Sequence, residues 1–179
     1  MGSGSRGGYG SSCGSQPYAP TYHVVGSMMA RDKADPDIYS STKGYFHNPT
    51  AVNIEDAVKG NRIVIDGKRP GGPVTYVMDT KGNIVIGVRK NPNDSAKRSP
   101  HPTLLGGKDP QVQCAGMITF KDARIYSVNT NIGHYRPNTK SLQKVESALD
   151  KLYEKNPNLF SRDSKWRKKY CQSLTRSKD

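Results

Sequence analysis

The 179-residue chain is predicted to adopt an α+β fold: a mostly antiparallel, twisted sheet of about five or six strands with a C-terminal amphipathic helix packed on it. Three observations predict it. Short β-branched runs separated by turn residues recur from residue 61 to residue 129, a run near the C-terminus repeats its apolar residues at helical spacing, and 33% hydrophobic with 24% charged residues is the balance of one modest folded domain. The elements follow in order.

"MGSGSRGGYGSSCGSQ" is rich in Gly and Ser and has little to bury, so residues 1–16 read as a flexible linker, with a folded domain over 17–160 and a basic tail over 161–179. "TYHVVGSMMA" reads as a strand and "DKADPDIYSSTKGYFHNPT" as a polar loop broken by Pro36, Gly44 and Pro49. "NPTAVNIEDAVKG" reads as a short helix capped by Asn48 or Thr50, with Glu55 and Asp56 early and Gly60 as its stop. "NRIVIDG", "VTYVMD" and "NIVIGVRK" are strands, the last two joined by the turn "TKG". "VQCAGMITF" and "RIYSVNT" make a second hairpin around "KDA". In "NTKSLQKVESALDKLYEKNP", Leu142, Val145, Leu149 and Leu152 share one helix face, with Thr139 or Ser141 as N-cap and Pro157 beyond the end.

Charge narrows the partners. Lys and Arg number 28 against 15 Asp and Glu, a net +13 that attracts RNA, DNA or an acidic protein surface. Cys13, Cys114 and Cys171 are too few and too far apart for a disulfide scaffold and offer no paired zinc ligands, so no metal or other cofactor is expected; Cys114, inside an apolar strand, reads as a buried, inert thiol. No run approaches the length of a membrane span, and the N-terminus lacks the pattern of a signal peptide, so no membrane partner is expected.

Two of the four histidines flank the second hairpin in polar settings: His101 in "SPHPT" and His134 in "NIGHYRP". Antiparallel pairing of that hairpin brings its flanks to one edge of the sheet. A neutral and a protonated imidazole are the simplest base and acid for metal-independent RNA cleavage, in which the 2′-hydroxyl attacks the adjacent phosphorus and the 5′-oxygen leaves. Arg136, Arg98 or Lys108 would stabilise the added phosphate charge, and Thr103 and Tyr135 would orient phosphate or imidazole. The alternative for each histidine is a capping role in a turn. His23, in an apolar strand, and His47, in a loop, rank below them. "LLGG" lacks the length of a phosphate-binding loop, which leaves Gly106 and Gly107 as turn residues. In the tail, Lys165, Arg167, Lys168 and Lys169 interleave with Trp166 and Tyr170; with Arg98 and Lys108 they form the expected nucleic-acid contacts.

"YVMDTKGNIVIGVRK", "HPTLLGG", "VQCAGMITF" with its hairpin, and "GHYRP" ahead of an amphipathic helix together resemble the C-terminal toxin domains of bacterial polymorphic toxins, in particular the type 43 class, over roughly Tyr18 to Leu152. The resemblance implies an effector carried by a larger secreted protein, delivered into the cytoplasm of a competing cell, and neutralised at home by a cognate acidic immunity protein. A weaker likeness runs to the central region of plant IQ-motif calmodulin-binding proteins, which share the order of the His, Ala-Gly and Gly-His-Tyr motifs. Both kinds often carry Glu after Ala-Gly, where this chain has Met117. Three functions therefore stand as expectations. The first is a ribonuclease toxin using His101 and His134. The second is a mono-ADP-ribosyltransferase taking NAD, with His101 and Thr103 on the nicotinamide ribose, Tyr135 stacked on nicotinamide, and Glu146 or Glu154 as its acid. The third is a non-enzymatic binding module.

Overall fold

A computed structural model describes residues 21–91, 93 and 99–168. The expected linker, Arg98, Lys169 and the rest of the tail lie outside the described residues.

The first described element corrects the strand expected at residues 21–30. Only Tyr22 pairs, its N–H donating to the Val112 carbonyl at 2.7 Å, and the chain then coils into α1, Gly26–Lys33. Met28, Met29 and Ala30 are good helix formers, and the Val25 N–H is taken by the His134 carbonyl at 2.8 Å rather than by a strand neighbour. Two short strands follow, β1 (Tyr39–Ser40) and β2 (Gly44–Tyr45), paired antiparallel. Gly44 is obligatory there: its φ is +79°, and a Cβ would lie 2.3 Å from the Gly107 carbonyl carbon.

The expected helix at 48–60 is also corrected. It divides into β3 (Val52–Asn53), a 3-10 turn over Ile54–Ala57 and β4 (Val58–Lys59), the last pairing with β5 (Arg62–Ile63). Asn53, not Asn48 or Thr50, caps the turn, its side-chain oxygen accepting from the Glu55 N–H at 3.0 Å. Val52 and Val58 stand extended on either side, which leaves room for one turn and no more.

The hairpins form as expected. β6 (Gly72–Met78) pairs with β7 (Ile84–Gly87), and β8 (Cys114–Lys121) pairs with β9 (Arg124–Val128). Together with β3 they make a five-stranded antiparallel sheet in the order β3-β7-β6-β8-β9. α2, Thr139–Lys155, covers one face, burying Val145, Leu149 and Leu152 against Tyr76, Ile84, Ile118 and Phe120. Burial of each such aliphatic side chain stabilises the fold by about 1.5–3 kcal/mol. Its cap is Asn138, whose side chain accepts from the Ser141 N–H at 3.0 Å, one residue earlier than Thr139.

The opposite face of the sheet, through Val77 and Ala115, packs against Val24, Tyr45, Leu104, Val112 and Tyr135. Beyond residue 160 the chain stays in the core: Trp166 is 6% exposed, its ring 5.0 Å from that of Phe160, and its Nε1–H donates to Asp150 at 2.8 Å. Parallel pairing of Phe160 with Ile125, and the Ser161 N–H on the Ile125 carbonyl, cover the edge of β9.

Candidate functional site

His101 opens a second 3-10 turn, His101–Leu104, started by Pro100 and seated on the sheet through Leu104. The imidazole is 6% exposed, and its Nε2 lies 2.7 Å from the Gly116 carbonyl in β8. A carbonyl only accepts, so Nε2 carries the proton and Nδ1 holds the lone pair. Burial pulls the His101 pKa down from 6.5 to about 4; the Gly116 bond works against that shift, while the charges of His134 and Arg89 add to it. The ring is neutral at pH 7.

His134 follows Gly133 in the connection from β9 to α2 and is 5% exposed. Its Nε2 lies 3.0 Å from Asp32 Oδ2 in α1, and the Tyr45 hydroxyl donates to the same oxygen at 2.5 Å. Asp32 is thus a buried side chain with donors from two other segments on one oxygen, a buried network of the kind that fixes ring orientation. Desolvation, with Asp32 alongside, raises the Tyr45 pKa and keeps its phenol protonated.

Leu104, in the turn that His101 opens, and Tyr135, next to His134, belong to one buried cluster, which sets both histidines on the same side of the sheet. The structure withdraws two of their expected helpers. Thr103 is buried and donates to the Pro100 carbonyl at 2.6 Å, closing its own turn. Tyr135 is fully buried, its hydroxyl donating to the Pro110 carbonyl at 2.7 Å, so neither ring face nor hydroxyl is presented to a ligand. That placement removes both the expected phosphate contact and the expected nicotinamide stack. Glu146, one acid considered for the transferase reading, pairs with Lys165, and Glu154 lies on α2 with it. Arg136 and Lys108 are exposed.

Three residues join the site that sequence spacing did not single out: Asp32, Tyr45 and Arg89. Asp32 stands 102 positions from His134, beyond the reach of any local motif. At the position after Ala-Gly, Met117 exchanges backbone contacts with Asn129: its N–H donates to Asn129 Oδ1 at 3.2 Å and its carbonyl accepts from the Asn129 N–H at 3.0 Å. Gly116 admits no side chain, because a Cβ would lie 1.9 Å from the Asn129 carbonyl oxygen.

Of the remaining histidines, His23 is exposed and pairs with Asp109 at 3.1 Å, and His47 is exposed. Cys114 is buried, 3.5 Å from the Tyr76 hydroxyl, with burial pushing its thiol pKa up. Lys165 and Lys168 border a hollow of about 300 Å³ with Tyr126 and Asp163, while the Arg167 guanidinium donates to the Pro157 carbonyl at 3.0 Å. Among the described residues no cluster of three or more His, Cys, Asp or Glu could hold a metal, and no helix is long and apolar enough to cross a membrane.

No protein-family model, curated protein or solved structure matches this chain.

Proposed function

We propose that the chain is the effector domain of a secreted polymorphic toxin and that it cleaves RNA in the target-cell cytoplasm without a metal. The observation that carries the reading is the pairing of a neutral, tautomer-fixed His101 with a carboxylate-held His134. Nδ1 of His101 takes the 2′-hydroxyl proton, the 2′-oxygen bonds to phosphorus, and the 5′-oxygen leaves with a proton from Nδ1 of His134, giving a 2′,3′-cyclic phosphate and a 5′-hydroxyl. Asp32 holds His134 through Nε2 and so orients the ring that donates. The exposed Arg89, the neighbouring cation of His101, is the proposed partner for the phosphate oxygens as charge builds there. The net charge of +13 suits both a polyanionic substrate and an acidic immunity protein that protects the producing cell.

The test incubates the purified domain with total RNA in EDTA and looks for fragments ending in cyclic phosphate. Wild type should produce them and arrest growth when expressed in a bacterial cytoplasm. His101→Gln and His134→Gln should each lower turnover by about two to four decades. Gln retains a donor for the Gly116 carbonyl or the Asp32 carboxylate, which favours folding, and circular dichroism verifies it. Intact RNA with folded wild type, or full cleavage by folded variants, overturns the reading.

A further inference from the structure

On the face of the sheet opposite the histidines, α2 and the β6–β7 turn enclose a groove of about 1090 Å³. Lys140, Lys144, Lys151 and Lys155 line it from α2, and Lys81 lines it from the facing turn. At 3.6 residues per turn the four helix lysines fall within about 60° of one another, and a rise of 1.5 Å per residue spreads them over about 22 Å. They form a straight cationic stripe beside the buried face of the helix.

Helix stability accounts for Lys155, a cation in the last turn of α2, but not for the stripe as a whole. Lys140 with Lys144, and Lys151 with Lys155, are like charges four residues apart, which repel. The first turn of α2 holds no acid, and Lys140 sits at the positive end of the helix dipole. The acids Glu146 and Asp150 are engaged elsewhere, with Lys165 and with the Trp166 indole. Glu55 is the acid that lines the groove, and it already lies 3.4 Å from Lys155.

From this arrangement we infer that the groove binds the phosphodiester backbone of a nucleic acid strand, without reading its sequence. Lysine binds phosphate as a point charge and is depleted at protein–protein interfaces, so the stripe fits phosphates better than an acidic protein face. No aromatic side chain lines the groove among the described residues, which leaves no platform for stacking bases. The amides of Asn83, Gln113 and Gln143 supply donors and acceptors for sugar and phosphate oxygens. The inference deepens the RNA-directed reading above, although binding requires no turnover.

The experiment measures binding of labelled polyuridylate to the whole chain across a range of salt concentrations. Lys144→Gln with Lys151→Gln should weaken binding and lower the slope of log K against log[salt] by about 1.4, two single-strand contacts' worth. Lys43→Gln with Lys68→Gln, which removes the same charge outside the groove, should leave the slope within about 0.3 of wild type. Relief of repulsion should keep the groove variant's melting temperature at or above wild type, so weaker binding is not unfolding. Polythymidylate separates the two sources of the backbone: a lysine-dependent slope with either polymer supports the groove. An unchanged slope in the groove variant overturns the inference, as does equal lysine dependence for poly-glutamate. Loss of binding with no RNA cleavage by wild type would leave the groove standing and remove the ribonuclease reading alone.

Discussion

Burial of His101 makes the stability of the fold depend on pH in a window that can be stated in advance. The imidazole titrates near 6.5 when exposed and at about 4 in the folded protein, chiefly because burial disfavours its charged form. Between those values the unfolded chain binds a proton that the native state does not. The contribution of His101 is therefore fully present above pH 6.5, declines as pH falls through the window, and levels off below about pH 4. The gap corresponds to roughly 3 kcal/mol, a large share of a total stability of about 5–15 kcal/mol. His101→Gln isolates it, since the amide still donates to the Gly116 carbonyl and does not titrate. Urea denaturation near pH 7 and near pH 4 should show wild type losing about 3 kcal/mol more than the variant. Asp163 belongs to a lower window: Lys121 and Ser161 hold its pKa at about 2, so its stabilisation is present above the ordinary carboxylate range and is lost as pH falls through 2. Equal acid losses in wild type and His101→Gln would show that the imidazole is neither as buried nor as neutral as the structure has it.

Two other substitutions test the packing around the site and beyond it. Asp32→Ala leaves the Tyr45 hydroxyl and the His134 Nε2–H buried without their acceptor, at about 1–3 kcal/mol each; a denaturation loss below about 0.5 kcal/mol, the range of surface changes, would refute the network. Trp166→Ala should cost about 3–5 kcal/mol by emptying a core position that Phe160 packs against. A thermal melt unchanged from wild type would instead place residue 166 in a solvated tail.

The sheet and its helix were legible because their periodicity is strong and local. β6 with β7, and β8 with β9, are hairpins whose β-branched runs and short turns carry their own register. α2 repeats Val145, Leu149 and Leu152 at a spacing that no strand would use. The failures lie where tertiary contacts decide. Residues 21–30 are apolar enough for a strand, yet among the described residues Tyr22 alone of them forms a bridge, and helix propensity prevails from Gly26. The 48–60 segment shows helical charge placement, but Asn53 caps it in the middle and permits one turn. Of the candidate site, motif spacing singled out His101 and His134, while Asp32 reaches His134 only through the fold. Thr103 and Tyr135 look equally polar in sequence, and the satisfaction of their hydroxyls by backbone carbonyls cannot be read from it. The lysine stripe did leave a signal: with residues 139–155 projected on a helix, Lys140, Lys144, Lys151 and Lys155 fall on one face.

The groove and the histidines occupy opposite faces of the sheet, yet the chain joins them over a short span. His134 leads through Arg136 into Lys140, the first lysine of the stripe, and Ser141 anchors that end of α2 by donating to the Tyr22 hydroxyl at 2.9 Å. Tyr22 in turn pairs with Val112, next to Gln113 of the groove wall. The start of α2 is therefore fixed to the same segment that precedes α1 and Asp32, so the stripe and the partner of His134 belong to one hydrogen-bonded junction. On the proposed reading this sets a direction: a strand held along α2 passes from Lys155 toward Lys140 and turns past Arg136 to His134. Arg136, exposed at that corner, is then the cation that couples binding to chemistry. Arg136→Gln should lower kcat/KM for long RNA more than for a dinucleotide, because the dinucleotide never spans the groove. Equal losses on both substrates would place Arg136 at the reacting phosphate instead and separate the groove from the reaction path.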